Sequence, residues 1–405
     1  SHIRDDIIIM IKRKMAVIGV GSAGIQSLCH FLSYLDETWE IYSIHDPDKK
    51  ILGIGESANP PLLHLLQLAT DFKISEDLDE INGTLKFGTE YIDWRKKSFI
   101  NPFINGTVSI QFDTNKLKSF AISRFKSIWR SKFKTIDGNV SNIENNKDEV
   151  KLTINGDIYE FDYVIDCTGS PKEYDSSYNL IDPPLLTSCL VFNDKADIET
   201  PIKYTGHIAT KDGWMFRVPL SNRTSYGYLY NNKITDKVTS TSNFKELLNI
   251  SLDDYKEISF EFKSYYIKNP INNRVIKNGN AAAFIEPMFG SSLIIYDAIN
   301  RITSDHINGN VPIDDITKYW NDIVINVLIT IAFHYLGGST YDTPFWDYAE
   351  RWSKETIDKY PRFMEYINVV GDAVSMNRGW NNSYDLMFSG HSMKQMSRNL
   401  EYDYI

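Results

Sequence analysis

The chain of 405 residues contains only three cysteines, Cys29, Cys167 and Cys189. They are too few and too scattered for a disulfide framework or a zinc site, so we expect no metal centre and a reducing, cytoplasmic location. No stretch approaches the roughly 18–20 apolar residues of a membrane-spanning helix. Residues 1–14 contain only a short apolar run broken by basic residues, which is not typical of a signal peptide.

An excess of positive charge is also missing. The chain has 43 Lys and Arg against 53 Asp and Glu, and a formal net charge of -10. This balance argues against a general nucleic-acid binder and against a binder of anionic membranes. Aromatic residues make up 13% of the chain, which suits a site with flat walls and equally suits a well-packed interior.

A glycine-rich turn follows the apolar run that begins at Met15, and it reads G-V-G-S-A-G from Gly19 to Gly24. Gly19 permits the tight turn, Gly21 lets the backbone approach a pyrophosphate, and Gly24 lets helix and strand pack closely. The helix that starts at Ser22 and Ala23 points its N–H groups at the anion. The pattern favours dinucleotide binding over an ordinary glycine turn.

The second predicted strand, residues 39–44, is followed by His45, Asp46 and Pro47. An acid about twenty residues beyond the last glycine commonly binds the ribose hydroxyl pair, which makes Asp46 a candidate. An aspartate before proline is equally typical of a turn. Both interpretations stay open for Asp46.

A rigid, non-helical strap comes next, over residues 51–63 (ILGIGESANPPLL), and it contains Gly55, Glu56 and Ser57. Such a strap can lie flat along a cofactor, and it can equally be a connecting loop.

Residues 84–94 (TLKFGTEYIDW) alternate as a strand, and the alternation alone predicts that Lys86 and Glu90 form a solvated pair. The basic segment 116–134 is predicted to be a helix with a solvated face, with contact to a phosphate as the alternative.

The remaining segments predict an α/β protein (α+β overall), with a Rossmann-like three-layer nucleotide-binding domain and an interwoven β-sheet region. The strand ending in D-C-T-G at 166–169 is typical of a return to the nucleotide-binding sheet. We expect a nucleotide-binding region at 15–182 and 276–313, a substrate-side sheet at 183–275, and a helical substrate-side region at 314–405.

Taken in order, these segments resemble the flavin-dependent halogenases of the tryptophan-halogenase-like family, within the flavin monooxygenase-like superfamily. The resemblance runs from about residue 15 to about residue 352. GVGSAG is similar to the FAD fingerprint of the family, GIGESANPP to its G-x-G-E-[AS]-x-x-P strap, and LKFGTEYIDW to its F-K-x-G-x-x-F-x-x-W strand. The segments GWMFRVP, FIEPMFGSS, HYL and TPFWDYAER follow in the order of the family.

The resemblance implies that FAD is used as FADH2, with O2 and a halide ion, to form hypohalous acid that halogenates an electron-rich aromatic small molecule. It implies a separate flavin reductase as partner, and it leaves the oligomeric state open, including a homo-oligomer. It places Lys86 on the catalytic lysine of the family and Ser291 and Ser292 on the halide-binding turn. The cofactor-binding residues that it implies are Gly19, Gly21, Ser22, Ala23, Gly24, Asp46, Gly55, Glu56, Ser57, Phe284, Pro287 and Leu293.

Three positions depart from the family pattern. Phe216 replaces the second tryptophan of W-x-W-x-I-P, and His45 stands where the ribose-binding acid is usual. The E-P-L-E-S-T-G turn becomes E-P-M-F-G-S-S, so the carboxylate that many members place beside the lysine falls on Phe289. We therefore expect bromide or iodide to be preferred over chloride. The alternatives are a flavin monooxygenase without halogenation and a catalytically silent flavin-binding protein.

Overall fold

The structure is a computed structural model that describes residues 11–51, 54–95, 97–103, 106–200, 203–251, 256 and 258–361. The helices are α1 (Ser22–Tyr34), α2 (Pro60–Thr70), α3 (Ile74–Asp77), α4 (Thr114–Ile128), α5 (Lys237–Leu248), α6 (Ser291–Ile307), α7 (Ile313–Tyr335) and α8 (Pro344–Asp358). The strands of the first half are β1 (Arg13–Ile18), β2 (Trp39–His45), β3 (Gly55–Ser57), β4 (Thr84–Trp94), β5 (Lys97–Pro102), β6 (Ser109–Asp113), β7 (Phe133–Asp137), β8 (Val140–Asn145), β9 (Val150–Ile154), β10 (Asp157–Phe161) and β11 (Tyr163–Asp166). Those of the second half are β12 (Tyr178–Leu180), β13 (Ser188–Asp194), β14 (Lys203–Ala209), β15 (Gly213–Pro219), β16 (Thr224–Tyr230), β17 (Ile258–Glu261), β18 (Tyr265–Ile267), β19 (Ile271–Asn272), β20 (Val275–Lys277) and β21 (Ala283–Phe284).

A six-stranded sheet in the order β19-β20-β11-β1-β2-β7 forms the first core. Its strands run parallel except for the short edge strand β19. The central strand β1 is apolar on both faces, as expected for a parallel strand covered on both sides. Met15 and Val17 pack in the cluster that contains the helices, whereas Ala16 and Ile18 pack against the antiparallel sheet β8–β9–β10. This three-layer arrangement confirms the predicted Rossmann-like α/β fold.

A nine-stranded sheet lies beside this core, in the order β17-β13-β16-β15-β14-β4-β6-β3, with β5 paired to β4. It takes β3, β4, β5 and β6 from the chain before residue 183, so the strap and the lysine-bearing strand belong to the same sheet as β13–β17. The strap strand β3 pairs antiparallel with β6. The strap is therefore an edge strand of this sheet.

The helix α6, which follows Gly290, packs against α1 and links the late part of the chain to the first core. Ser27 Oγ donates to Asn300 Oδ1 over 2.9 Å, and Asn278 Nδ2 donates to the same oxygen over 3.0 Å. The helix α7 is buried along most of its length. It falls within the predicted helical region 314–405, of which residues 362–405 lie outside the described residues. Across the described ranges, no helix is both long and apolar enough to cross a membrane.

Candidate active site

The glycine turn leaves room for a ligand at the N-terminus of α1. A Cβ atom on Gly19, whose φ is +91°, would lie 2.5 Å from the Cys167 carbonyl oxygen, and one on Gly24 would lie 1.9 Å from the Gly19 carbonyl oxygen. These two glycines are required by the fold itself. A Cβ on Gly21 would meet no protein atom within 4 Å, so that position faces open space beside the first N–H groups of α1.

Glu56 joins the strap to two helix N-termini. Ser22 Oγ and Thr114 Oγ1 both donate to its Oε1, over 2.6 Å and 2.9 Å. Burial raises the pKa of the Glu56 carboxyl, and the two hydrogen bonds oppose that rise. The structure thus gives Glu56 a tethering role, since it fixes the strap against the glycine turn.

A cavity of about 1060 Å³ opens between the strap, the nine-stranded sheet and the start of α6. It is large enough for a cofactor-sized ligand. Eight residues that were singled out from the sequence line it: Gly55, Glu56, Ser57, Phe216, Phe284, Pro287, Ser292 and Leu293. The cavity does not include the glycine turn or Lys86 among its lining residues.

Sequence reasoning missed several residues of this cavity. Thr205 lines it and donates through Oγ1 to Gln111 Oε1 over 2.9 Å, and its hydroxyl lies 2.5 Å from Ser57 Oγ. Asn280 and Tyr296 also line it, and the Tyr296 hydroxyl donates to Asn280 Oδ1 over 3.2 Å. No motif marks these positions, because β14, α6 and the short turn before β21 bring them to the cavity only after folding.

At the end of β2, the side chain of Asp46 forms a turn, and His45 lies beside a lysine. Asp46 Oδ1 accepts the Asp48 amide over 3.0 Å, so the turn interpretation holds for its side chain. Lys118 of α4 lies with Nζ 2.8 Å from His45 Nε2. With Asp137 they line a smaller cavity of about 210 Å³. The basic helix therefore reaches the strand end and is not only a solvated face.

Lys86 is fully buried, and the prediction of a solvated pair with Glu90 is wrong. Glu90 pairs instead with Arg217 of β15. The alternation fails because β4 carries an extra residue at Gly88, whose φ is +155°, where the register with β14 shifts. Burial lowers the pKa of Lys86 to about 7, and its ammonium group lies 5.2 Å from the centre of the Phe103 ring.

The corner that opens α6 is built from two left-handed residues, Phe289 (φ 45°) and Gly290 (φ 67°). A Cβ on Gly290 would lie 2.8 Å from the Ser57 carbonyl oxygen, so the strap packs directly against this corner. Ser291 is buried, and its hydroxyl donates to the Glu286 carbonyl oxygen over 3.0 Å. Ser292 lines the cavity. Of the two serines, only Ser292 is placed to contact a ligand through its side chain.

Buried titratable groups surround Phe289. Its ring lies 5.2 Å from that of His334, whose Nδ1 donates to the Thr330 carbonyl oxygen over 2.6 Å. The Tyr91 hydroxyl donates to the other ring nitrogen of His334 over 3.1 Å. Burial lowers the pKa of His334 to about 4, so the ring is neutral at physiological pH. Burial raises the pKa of Glu286 to about 8.

These residues fit FAD. The open cradle over Gly21 suits a diphosphate, and the large cavity beyond the strap suits a flavin ring with flat, partly aromatic walls. The first turn of α6, which includes Ser292 and Leu293, places backbone N–H groups and the positive helix end at the same cavity. The arrangement can therefore hold an anionic cofactor and a small anion side by side.

Comparison with known proteins supports this assignment. The sequence model of the tryptophan halogenase family matches residues 14–147 and 127–399. A tryptophan 6-halogenase of Streptomyces albogriseolus is 20% identical over 82% of this chain and 78% of its own length. A tryptophan halogenase structure from Shewanella frigidimarina superposes with a TM-score of 0.80 at 16% identity, over 96% of this chain and 89% of that one.

A flavin-dependent halogenase from Xanthomonas campestris has a TM-score of 0.73 at 15% identity, over 96% of this chain and 95% of its own. The structural matches show a shared fold, and the family match spans most of the sequence. The chain therefore belongs to the tryptophan halogenase family, whose members are flavin-dependent halogenases.

Proposed function

We propose that this protein uses FADH2, O2 and a halide ion to form hypohalous acid and halogenates an electron-rich aromatic small molecule. The observation that carries the proposal is the burial of Lys86 on β4, the strand that pairs with β14, whose Thr205 and His207 line the flavin-sized cavity. The order of these features along the chain matches the family pattern. A separate flavin reductase would supply the reduced cofactor, since the sequence has no second nucleotide-binding fingerprint.

FAD, when bound in its reduced form, supplies the activation of O2 that allows a halide to be oxidised. The glycine cradle at Gly19, Gly21 and Gly24 would hold the diphosphate, and Asp46 would lie at the adenosine end. The residues Gly55, Glu56, Ser57, Phe284, Pro287 and Leu293 would enclose the flavin. The corner at Ser291 and Ser292 would seat the halide at the positive end of α6.

Lys86 would handle the oxidant. With a pKa of about 7, both the ammonium and the amine are populated at neutral pH. The ammonium can donate a hydrogen bond to hypohalous acid and polarise it, whereas the amine can form a haloamine. Burial away from water keeps either species from being discharged into solvent.

Bromide or iodide would be used in preference to chloride. Phe289 stands where many family members have a carboxylate, so the site lacks that hydrogen-bond acceptor and general base. Weaker activation would favour the halides that are more easily oxidised. The neighbouring Glu286 does not replace the missing group, because both its oxygens accept the Tyr335 hydroxyl over 3.1 Å.

The test is a reaction of the purified protein with FAD, a flavin reductase, O2, sodium bromide and a panel of phenols and indoles, followed by mass spectrometry. A product with the bromine isotope doublet supports the proposal. A product that gains one oxygen instead would identify a flavin monooxygenase. Neither product across the panel, despite oxidation of bound FADH2, would favour a silent flavin-binding protein.

A further inference from the structure

His207 is a buried histidine that the proposed chemistry leaves without a role. It lies on β14 with 1% of its surface exposed, and its ring still forms part of the wall of the large cavity. The ring stacks on Trp214 at 4.7 Å with planes 3° apart, and it lies 5.1 Å from the Tyr91 ring. These two aromatic rings fix its orientation.

The imidazole of His207 holds the backbone of the α6 corner. The Phe289 amide donates to His207 Nε2 over 2.9 Å, which requires that this nitrogen carry no proton. On the other side of the same residue, Asn59 Nδ2 of the strap donates to the Phe289 carbonyl oxygen over 3.0 Å. Phe289, which has a left-handed backbone conformation, is thus held at its N–H by the sheet and at its C=O by the strap.

Phe289 needs such support. Its φ of 45° and ψ of 28° lie in the left-handed region, which is unfavourable for a residue that carries a Cβ atom. Gly290 continues in the same region, and α6 starts at the next residue. The direction in which the first N–H groups of α6 point therefore depends on how firmly Phe289 is held.

The surroundings of His207 keep its acceptor available. Burial is the main cause that lowers the pKa of His207 well below its usual value, and the charge of Lys86 acts in the same direction. A hydrogen bond to the Thr205 backbone opposes them. His334 and Tyr91 are the other titratable groups in ring contact with this cluster.

We propose that His207 is a positioning residue that locks the Phe289–Gly290 corner through its unprotonated Nε2 and thereby sets the affinity of the first turn of α6 for a halide. The second half of this statement rests on the proposed halogenase function. His207 would act through the Phe289 amide, not by touching the halide or the oxidant.

The experiment compares His207→Phe, which keeps a stacking ring and removes the acceptor, with His207→Gln, which retains an acceptor oxygen. The matched control is His30→Phe, the same change at a buried histidine of α1 whose Nε2 lies 2.8 Å from Ser304 Oγ. If His207→Phe does not fold, His207→Leu takes its place. Amide hydrogen exchange of the segment 286–293 is measured by mass spectrometry in the FAD-bound protein, and the dissociation constant of bromide is measured from the perturbation of the FAD spectrum.

His207→Phe is expected to speed exchange of segment 286–293 roughly tenfold and to weaken bromide binding roughly fivefold, the loss of about one hydrogen bond. FAD affinity should stay within about twofold, since the Gly21 cradle is untouched. His207→Gln should recover most of both effects, and His30→Phe should leave the segment as in the wild type.

Unchanged exchange in His207→Phe would overturn the proposal, and so would faster exchange with unchanged bromide affinity. An equal effect in His207→Gln would also overturn it, because the acceptor would then not matter. If wild-type protein shows no response to bromide, the proposed halogenase function fails together with the halide half of the inference. The exchange data still decide whether His207 locks the corner.

Discussion

At the scale of single residues, the pKa of Lys86 shows how strongly burial changes a charged group in this site. Lys86 is fully buried on β4, and burial lowers its pKa from 10.5 to about 7. Keeping an ammonium group in such a place costs folding free energy at every pH at which the group is charged. The lysine therefore lowers the stability of the protein, and the proposed role in handling the oxidant accounts for a lysine at this position.

Replacing Lys86 with methionine should stabilise the fold, by roughly 2–4 kcal/mol below pH 7. Between about pH 7 and 10.5 the unfolded chain keeps the lysine proton that the folded wild type has lost. Wild-type stability therefore rises with pH in that window, and the advantage of Lys86→Met shrinks. Urea unfolding of both proteins from pH 6 to 10 measures this. An advantage that stays constant or grows with pH would contradict the depressed pKa.

The burial of Lys86 could not be predicted from alternation, and the physical reason is local. Gly88 adds one residue to β4, and a Cβ there would lie 2.4 Å from the Asn101 carbonyl oxygen. The bulge shifts the register, so residues on either side of it follow different parities. The resemblance to the family strand makes Lys86 a site candidate without that assumption, because it compares motifs and does not require a regular strand. His207 carries no such motif, and only the fold reveals it.

At the scale of elements, the turn between β1 and α1 contains two glycines that the fold itself requires and one, Gly21, that faces open space. Gly19 and Gly24 have no room for a Cβ atom, whereas Gly21 has open space. The sequence alone predicted the close packing at Gly19 and Gly24, since strand, turn and helix are consecutive in the chain, and the role of Gly21 in binding a diphosphate stays a prediction. The cavity, by contrast, is formed by β3, β14, β21 and α6, which are far apart in sequence, and most of its walls could not be predicted.

Gly21→Ala should fold normally and bind FAD at least about tenfold more weakly, because the added methyl group meets the diphosphate and not the protein. Gly24→Ala is the matched comparison, and it should destabilise the apoprotein, since its Cβ would meet the Gly19 carbonyl oxygen at 1.9 Å. Thermal melting of the apoproteins and titration with FAD separate the two effects. Wild-type FAD affinity in Gly21→Ala would mean that the diphosphate lies elsewhere.

At the scale of the whole molecule, two sheets meet at one cavity. The glycine turn follows β1 of the parallel sheet, and the nine-stranded sheet carries the strap strand, Lys86 and His207, of which the strap and His207 line the cavity. The α6 corner closes the space between them. Under the proposed function, the nine-stranded sheet contributes both to the enclosure of FAD, through the strap, and to oxidant handling, through Lys86.

We expect the preference for bromide over chloride to depend on the whole site. With equal concentrations of chloride and bromide, the protein should form brominated product in at least about tenfold excess, because the site at Phe289 provides no carboxylate to assist the harder oxidation. The isotope pattern of the product mixture measures the ratio directly. Chlorination as efficient as bromination would contradict this expectation and would leave the role of Lys86 unaffected.

The central claim is that Lys86 decides how the oxidising power generated at the flavin is used. The most direct measurement places wild type and Lys86→Ala side by side with FADH2, O2, bromide and an accepted aromatic substrate, and follows brominated product and hydrogen peroxide together. We expect the variant to lose bromination while it continues to oxidise FADH2 and release peroxide. Full bromination by Lys86→Ala would contradict the claim.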